Sequence, residues 1–326
     1  MNNRCLTLLS EGQIWGNDIE SQLEVMRKYG IRTSISDLCI LTGASLCKSK
    51  SIGFNIDEDS YLSWFWTKSD DSNADVRTVS IIGTKNNEYR CSRSGSIRPV
   101  LQFPEIFSQI VSKRVKGYNG TEEVEYGEYP QYAADSRMQN ILESEYTRGM
   151  NKTGRSYTFD SVKPNGFYEK FNPITYEEYE YQGKKYARIK ANSFGPNEEK
   201  FKLSNGIEYS YGDYVWVEVS PVKWLIDDNT GILVSKIGLV SGIRFLDAHH
   251  YYKGDFGRTE MNEYLNKHML RDLTQTTTFT RVQDMSLDEK TQFEKERKQA
   301  EKRINPYGFN FDGVSEEDII RGAVES

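Results

Sequence analysis

The sequence predicts an α+β protein in which antiparallel strands dominate. Aromatic and β-branched residues recur in short runs, with 21 Tyr, 15 Phe and 5 Trp making 13% of the chain, a bias that suits pleated, half-buried surfaces. Turn signals at Gln182-Gly183 and across Asp227-Asp228-Asn229-Thr230-Gly231 each separate two such runs, as in a hairpin. Amphipathic helix patterns are few and short by comparison.

Taken in order, Asn17 to Gly30 reads as a helix, capped by Asn17, with Ile19, Leu23 and Met26 on one face and Gly30 as its stop. Ser36 to Leu46 is an apolar stretch, a strand or short helix broken at Gly43. Tyr61 to Thr67, Val76 to Ile82 and Ile97 to Phe103 are strand candidates, the last ended by Pro104. Val111 to Gly120 reads as a linker, Val124 to Gln131 as a strand and Met138 to Tyr146 as a helix. The stretch from Tyr176 to Ile189 is a tyrosine-rich hairpin around Gln182-Gly183.

Tyr214 to Val219 alternates, and Trp216 and Trp224 belong to the core of their strands. Val222 to Ile226 and Ile232 to Ser235 form a second hairpin. Thr259 caps a helix with Met261, Tyr264, Leu265, His268 and Met269 on one stripe. The tail then becomes a charged helix opened by the Ser286/Glu289 capping box, a turn-rich break, and a last helix at Ser315 without a C-cap signal.

With 42 basic against 48 acidic residues the net charge is −6, which argues against general phosphate-backbone binding and hence against nucleic acid as a partner. Basic residues occur in local spots rather than long runs. Cys5, Cys39, Cys47 and Cys91 include no C-x-x-C pair and read as buried or incidental thiols of a reducing compartment. His249, His250 and His268 are not paired at ligand spacing, so neither a metal nor a cofactor is expected. No apolar run approaches the roughly 18 residues of a membrane span, so no membrane partner and a cytoplasmic location are expected.

Three segments together resemble a bacterial domain family related by pattern to the C-type-lectin-like fold of formylglycine-generating enzymes. Val124 to Gln131 matches the family's opening strand. Val222 to Ile226 and Ile232 to Lys236 match its central strands, and Met261 to Asn266 its short helix. Its closing part matches Trp64 to Ser69 and Gly95 to Leu101, which here precede the opening part.

The resemblance implies a circularly permuted domain over residues 1–275: a closing half 1–104, a connector 105–123 and an opening half 124–275, followed by a charged helical tail 276–326. Two tandem partial copies, or halves swapped between protomers, are the alternative arrangements. The tail resembles the lead-in to an AAA-type ATPase, implying such a partner, although the chain has no Gly-x-x-x-x-Gly-Lys-Ser/Thr loop of its own.

The chemistry favours recognition over catalysis. No nucleophile elbow is present. A cysteine-dependent oxidase needs two thiols held together, and only Cys91 lies in the matching region. Asp70 to Asp75 has oxygen-rich spacing but lacks the glycine and distal glutamate of a calcium loop. In lectin-like folds the segment between the Trp-rich and Arg-Pro strands forms an exposed face. It corresponds here to Trp64, Trp66, Lys68, Asp70, Asp71, Asn73, Arg77, Tyr89, Arg90 and Arg93, the expected binding set for a protein, glycan or small-molecule ligand. Trp64 and Trp66 also fit a core position on one strand face, and Arg98 a structural contact. The expectation is thus a non-catalytic recognition or sensing module, with a cysteine-dependent oxidase and a structural phage or bacterial assembly protein as alternatives.

Overall fold

The computed structural model describes residues 5–17, 20–44, 47–48, 61–68, 75–89, 95–102, 107–111, 113–161, 172–191, 201–245 and 255–273. The charged tail expected over 276–326 lies outside them, as do His249, His250 and Cys91.

The chain opens with β1 (Cys5–Thr7), then α1 (Glu11–Trp15), α2 (Glu24–Lys28) and α3 (Asp37–Leu41). Short strands follow: β2 (Cys47–Lys48), β3 (Tyr61–Leu62), β4 (Phe65–Trp66), β5 (Asp75–Val79), β6 (Lys85–Tyr89) and β7 (Val100–Gln102). After α4 (Phe107–Val111) and β8 (Val115–Lys116), a 3-10 turn at Tyr118–Gly120 leads into β9 (Glu122–Ala133) and α5 (Ser136–Arg148). Next come β10 (Lys152–Ser161), β11 (Asn172–Tyr181), β12 (Lys184–Lys190), β13 (Phe201–Lys202) and β14 (Glu208–Tyr209). The described chain closes with β15 (Tyr214–Asp227), β16 (Ile232–Ser235), a 3-10 turn at Phe256–Arg258, and α6 (Glu260–Glu263), which continues as a π-helical turn over Tyr264–Met269.

The main sheet is antiparallel and nine-stranded, and β15 is its axis. Along one edge β15 pairs with β12 through its first half and with β16 through its second, extending to β7 and β1 on one side and β11 and β10 on the other. Along its other edge it pairs with β9, which carries β8. Trp224 therefore lies between Ser235 and Val124, and Val217 between Ala187 and Ala133.

A proline inside a central strand breaks the ladder because it has no N–H. At Pro221 the register with β9 shifts, and Gln131 Nε2 bridges the irregularity by donating to the carbonyls of Ser220 (2.9 Å) and Pro221 (3.1 Å). The closing-half strand β7 lies in the same sheet as β9 and β15.

Both faces of this sheet are covered. Trp224 and Val217 face the main core, with Tyr129, Leu233, Met261 and Leu265. Leu225 and Val234 point the opposite way into a layer formed by Leu9, Ile14, Leu23, Val25, Met26 and Tyr29 around α1 and α2. Under α5, Trp216, Tyr179, Tyr186 and Leu142 make a third cluster. There Trp216 Nε1 donates to Glu143 Oε2 at 2.9 Å, so the buried indole keeps a partner.

Local chemistry sets several boundaries. The β11–β12 turn has φ of +51° at Gln182 and +74° at Gly183, the double left-handed step of a type I′ hairpin. Thr259 accepts from the Asn262 N–H at 3.1 Å and caps α6. The helix expected from Asn17 to Gly30 is only Glu24–Lys28. Asn17 N–H donates to the Glu20 carbonyl and Leu23 N–H to the Gln13 carbonyl, both at 2.9 Å, so the chain turns before helix begins. Asp227 Oδ2, from the far end of β15, instead accepts the Val25 N–H at 3.4 Å. Ser36–Leu46 contains the short helix α3, and the expected linker at 111–120 carries β8 and the 3-10 turn.

Candidate functional site

Ten residues were expected to form one exposed face. Trp64 and Trp66 are core residues instead, 8% and 1% exposed. Their rings meet edge-on at 4.9 Å between centroids, and Trp66 leans on Phe245 at 5.4 Å. Trp64 fits because Gly95 has no side chain: a Cβ there would sit 2.2 Å from the indole. Lys68 is half-buried, its N–H donating to the Leu9 carbonyl at 2.8 Å. Arg77 pairs with Glu11 of α1 at 3.3 Å. Tyr89 ends β6 opposite Asp75. Asp70, Asp71, Asn73, Arg90 and Arg93 lie outside the described residues.

A different set of residues comes together about α2. An open cleft of about 650 Å³ runs between the end of α2, the turn that follows it, the β5–β6 turn and the 3-10 turn before β9. Its floor contains Met26, Tyr29 and Ile31. Arg27, Lys28 and Arg32 supply three cations to its lining, and among the described residues no Asp or Glu lines it. Ile82 and Tyr118 also line it and are 53% and 55% exposed, two of the exposed large apolar side chains among the described residues.

Each wall is fixed by a specific contact. The α2 carboxyl end places Arg27 and Lys28 where the helix dipole favours positive charge. Lys28 also pairs with Glu24 one turn earlier at 2.7 Å. That lysine's hydrogen bond and charge hold Glu24 below the usual carboxylate range.

Arg32 Nε donates to the Ile82 carbonyl at 3.2 Å, tying the post-helix turn to the β5–β6 turn. Asn119 adopts φ +51° and donates from Nδ2 to the Lys28 carbonyl at 3.3 Å. This left-handed asparagine, a conformation few side chains tolerate, sets Tyr118 beside Tyr29 edge-on at 6.4 Å.

Behind the floor lies a buried cation. Arg98 is 0% exposed and donates from Nε to the Ser235 carbonyl at 2.9 Å and from Nη1 to the Ile31 carbonyl at 3.3 Å. The guanidinium sits 5.7 Å from the Phe65 ring and 6.0 Å from the Tyr29 ring. Nη2 has no hydrogen-bond partner among the described residues, and burial lowers the guanidinium pKa to about 10. Burial also pushes the Tyr29 phenol up, while Arg98 and Lys236 oppose that shift.

A second charged cluster is enclosed. Glu178 and Asp272 are each 1% exposed. Glu178 accepts from Tyr176 Oη at 2.6 Å and Thr153 Oγ1 at 2.8 Å, and pairs with Arg155 at 2.9 Å. Arg155 also donates to the Asp272 carbonyl at 3.2 Å. Burial raises Asp272, opposed by Arg271 and Arg155. Burial works against the charged Arg155, yet Tyr176, Glu178 and Asp272 hold it above its ordinary value.

Perturbed titration marks catalytic sites only where substrate can reach them. These groups join the last described helix to β10 and β11, and their two acids are each 1% exposed. Cys39 is likewise wholly buried, and burial pushes its thiol far up, opposite to an activated cysteine.

Sequence reasoning missed the cleft because its walls come from three separated segments and match no motif. The local signal it does carry, the basic residues Arg27, Lys28 and Arg32 about Gly30, was not singled out from the sequence. Among the described residues, no group of His, Cys, Asp and Glu could hold a metal ion, and no helix is long and apolar enough to cross a membrane. No family model matches the chain, and neither a curated protein nor a solved structure does.

Proposed function

We propose that the chain is a non-catalytic recognition module that binds a small anionic ligand in the cleft at the end of α2. The observation that carries this reading is the cleft lining: Arg27, Lys28 and Arg32 with no Asp or Glu among the described lining residues, Lys28 also pairing with Glu24 outside the lining. Clustered like charge at a concave surface raises the local concentration of an oppositely charged solute, and about 650 Å³ falls within the range of small-molecule sites. The enclosed cluster of Glu178, Arg155, Tyr176 and Asp272 adds support, because its charged groups are tied to one another within the fold.

The permuted lectin-like arrangement belongs to the same proposal. It is supported by β7 of the closing half sharing a sheet with β9 and β15 of the opening half. In this reading the ligand site has moved from the expected tryptophan face to the outer layer over β16.

The test is thermal denaturation with inorganic pyrophosphate, comparing the intact chain with an Arg27→Gln/Lys28→Gln variant. Arg27 and Lys28 are exposed, so the variant should fold. Pyrophosphate should raise the Tm of the intact chain, less so as sodium chloride is added, and should leave the variant unmoved. Equal shifts for both proteins, or none for either, would overturn the reading.

A further inference from the structure

Asn-Gly pairs occur at Asn119-Gly120, Asn165-Gly166 and Asn205-Gly206. In such a pair the glycine nitrogen can attack the asparagine side-chain amide, because no Cβ shields it. Asn165-Gly166 lies outside the described residues, and the other two pairs stand in different surroundings. We infer that Asn119 is a spontaneous modification site, at which the Gly120 nitrogen displaces the side-chain amide as ammonia, whereas the fold protects Asn205.

The difference lies in what holds each pair. Both asparagines and both glycines are exposed, so access to water does not separate them. A Cβ at Gly120 or at Gly206 would meet nothing within 4 Å, so packing does not separate them either. Hydrogen bonds do. The Gly206 N–H donates to the Leu203 carbonyl at 2.9 Å. Asn205 Nδ2 donates to the carbonyls of Ala133 at 3.0 Å and Ala134 at 3.2 Å, and its Oδ1 accepts the Ile207 N–H at 3.2 Å. Nucleophile and target are both tied down there.

At the other pair, Asn119 Nδ2 donates only to the Lys28 carbonyl, at 3.3 Å and in an exposed position. The Gly117 N–H closes the turn on the Thr121 carbonyl at 2.8 Å, and the Gly120 N–H has no partner among the described residues. Asn119 sits at φ +51° and ψ +32°, a left-handed conformation that persists only where its surroundings enforce it. Ring closure rotates the Asn119–Gly120 peptide out of that conformation, and a single exposed hydrogen bond opposes the movement.

The reaction balances with water alone. Solvent hydroxide takes the Gly120 amide proton, the nitrogen bonds to Asn119 Cγ, and the Cγ–Nδ2 bond breaks with loss of ammonia to leave a cyclic imide. Water then adds to one of the two ring carbonyls. Opening at Cγ gives aspartate. Opening at the main-chain carbonyl breaks the old peptide bond and gives isoaspartate, with the chain running through Cγ. Neither product has a side-chain N–H for the Lys28 carbonyl, so conversion unties the turn from α2. Either product also adds a carboxylate to the cleft lined by Arg27, Lys28 and Arg32.

The experiment ages the full chain, folded and in urea, in mildly alkaline buffer made with water enriched in the heavy oxygen isotope. Mass spectrometry of proteolytic peptides then reads residues 119 and 205, where label enters only if an imide has opened. In the folded chain labelled acid should form at 119 at least about tenfold faster than at 205, because ring closure at Asn205 must first break its extra hydrogen bonds. In urea the two rates should converge. Equal rates in the folded chain, no label at 119, or a gap that urea does not narrow would each overturn the inference.

Discussion

Arg98 Nε donates to the Ser235 carbonyl at 2.9 Å across 137 positions of sequence, so a charged side chain just before β7 is built into the centre of the fold. Its environment is two carbonyls, a thioether and two aromatic rings. Such a site engages Nε and Nη1, leaves Nη2 without a partner among the described residues, and stabilises the charge by ring faces and dipoles.

Replacing Arg98 should therefore depend on shape more than on charge. Arg98→Met keeps the volume and removes the desolvated cation, whereas Arg98→Ala leaves a cavity as well as two unpaired carbonyls. The alanine variant should lose about 3–5 kcal/mol. The methionine variant should retain roughly 2 kcal/mol of that loss. Urea midpoints at constant m-value decide it, and equal losses for the two variants would contradict the account.

Gly127 in β9 has φ +68°, and a Cβ there would lie 2.6 Å from the Leu273 carbonyl oxygen. Gly127→Ala combines a disfavoured backbone with a clash against backbone that cannot turn aside. The expected loss is about 2–4 kcal/mol. A stability change below about 0.5 kcal/mol would mean that the helix and β9 do not meet this closely.

The Glu178 carboxylate is the hub of the enclosed cluster, so Glu178→Gln removes the acid paired with Arg155 and leaves Asp272 as its remaining carboxylate neighbour. Loss of one partner of a buried pair costs about 3–5 kcal/mol. Arg155→Met in the same chain should recover part of it, since it removes the cation that has lost its main carboxylate partner. A double-mutant cycle from denaturant unfolding measures the coupling; additive losses would show that the two side chains do not stabilise each other.

Legibility followed the range of the interactions. Gln182-Gly183 and Thr259 were readable because a left-handed turn and a side-chain cap are decided within four residues. So was the assignment of Trp216 and Trp224 to the core, since each sits in a strongly β-type strand.

Long-range partners decided the rest. The helix expected over Asn17 to Gly30 shrank because its N–H groups bond to Gln13 and Asp227, which local periodicity does not reveal. Trp64 and Trp66 carried the residue types of a binding face and the spacing of a core strand, and the missing Cβ at Gly95 settled them inside. The cleft was illegible for the same reason: Tyr118 and Ile82 line one cleft with Arg32 only through tertiary packing.

His268 gives the fold a pH dependence of predictable sign. It lies on the π-helical turn, 6.0 Å from the Tyr264 ring. Burial pushes its imidazole below the ordinary value, Arg271 and Lys267 add to that, and Glu263 opposes. The native chain therefore holds this proton less tightly than the unfolded chain does. Above roughly pH 6.5, the ordinary histidine value, both states are neutral here and the group leaves stability unchanged. As pH falls below that value the unfolded chain is protonated first, so stability drops until the native imidazole also takes up its proton. Asp37 and Asp272, raised by burial, act in the opposite sense, since their native forms keep protons longer as pH rises. Because they are common to both proteins, comparing the intact chain with His268→Gln isolates the histidine. Urea midpoints from pH 7 to pH 5 should fall more for the intact chain than for the variant, and parallel pH profiles would show that His268 titrates alike in the folded and unfolded states.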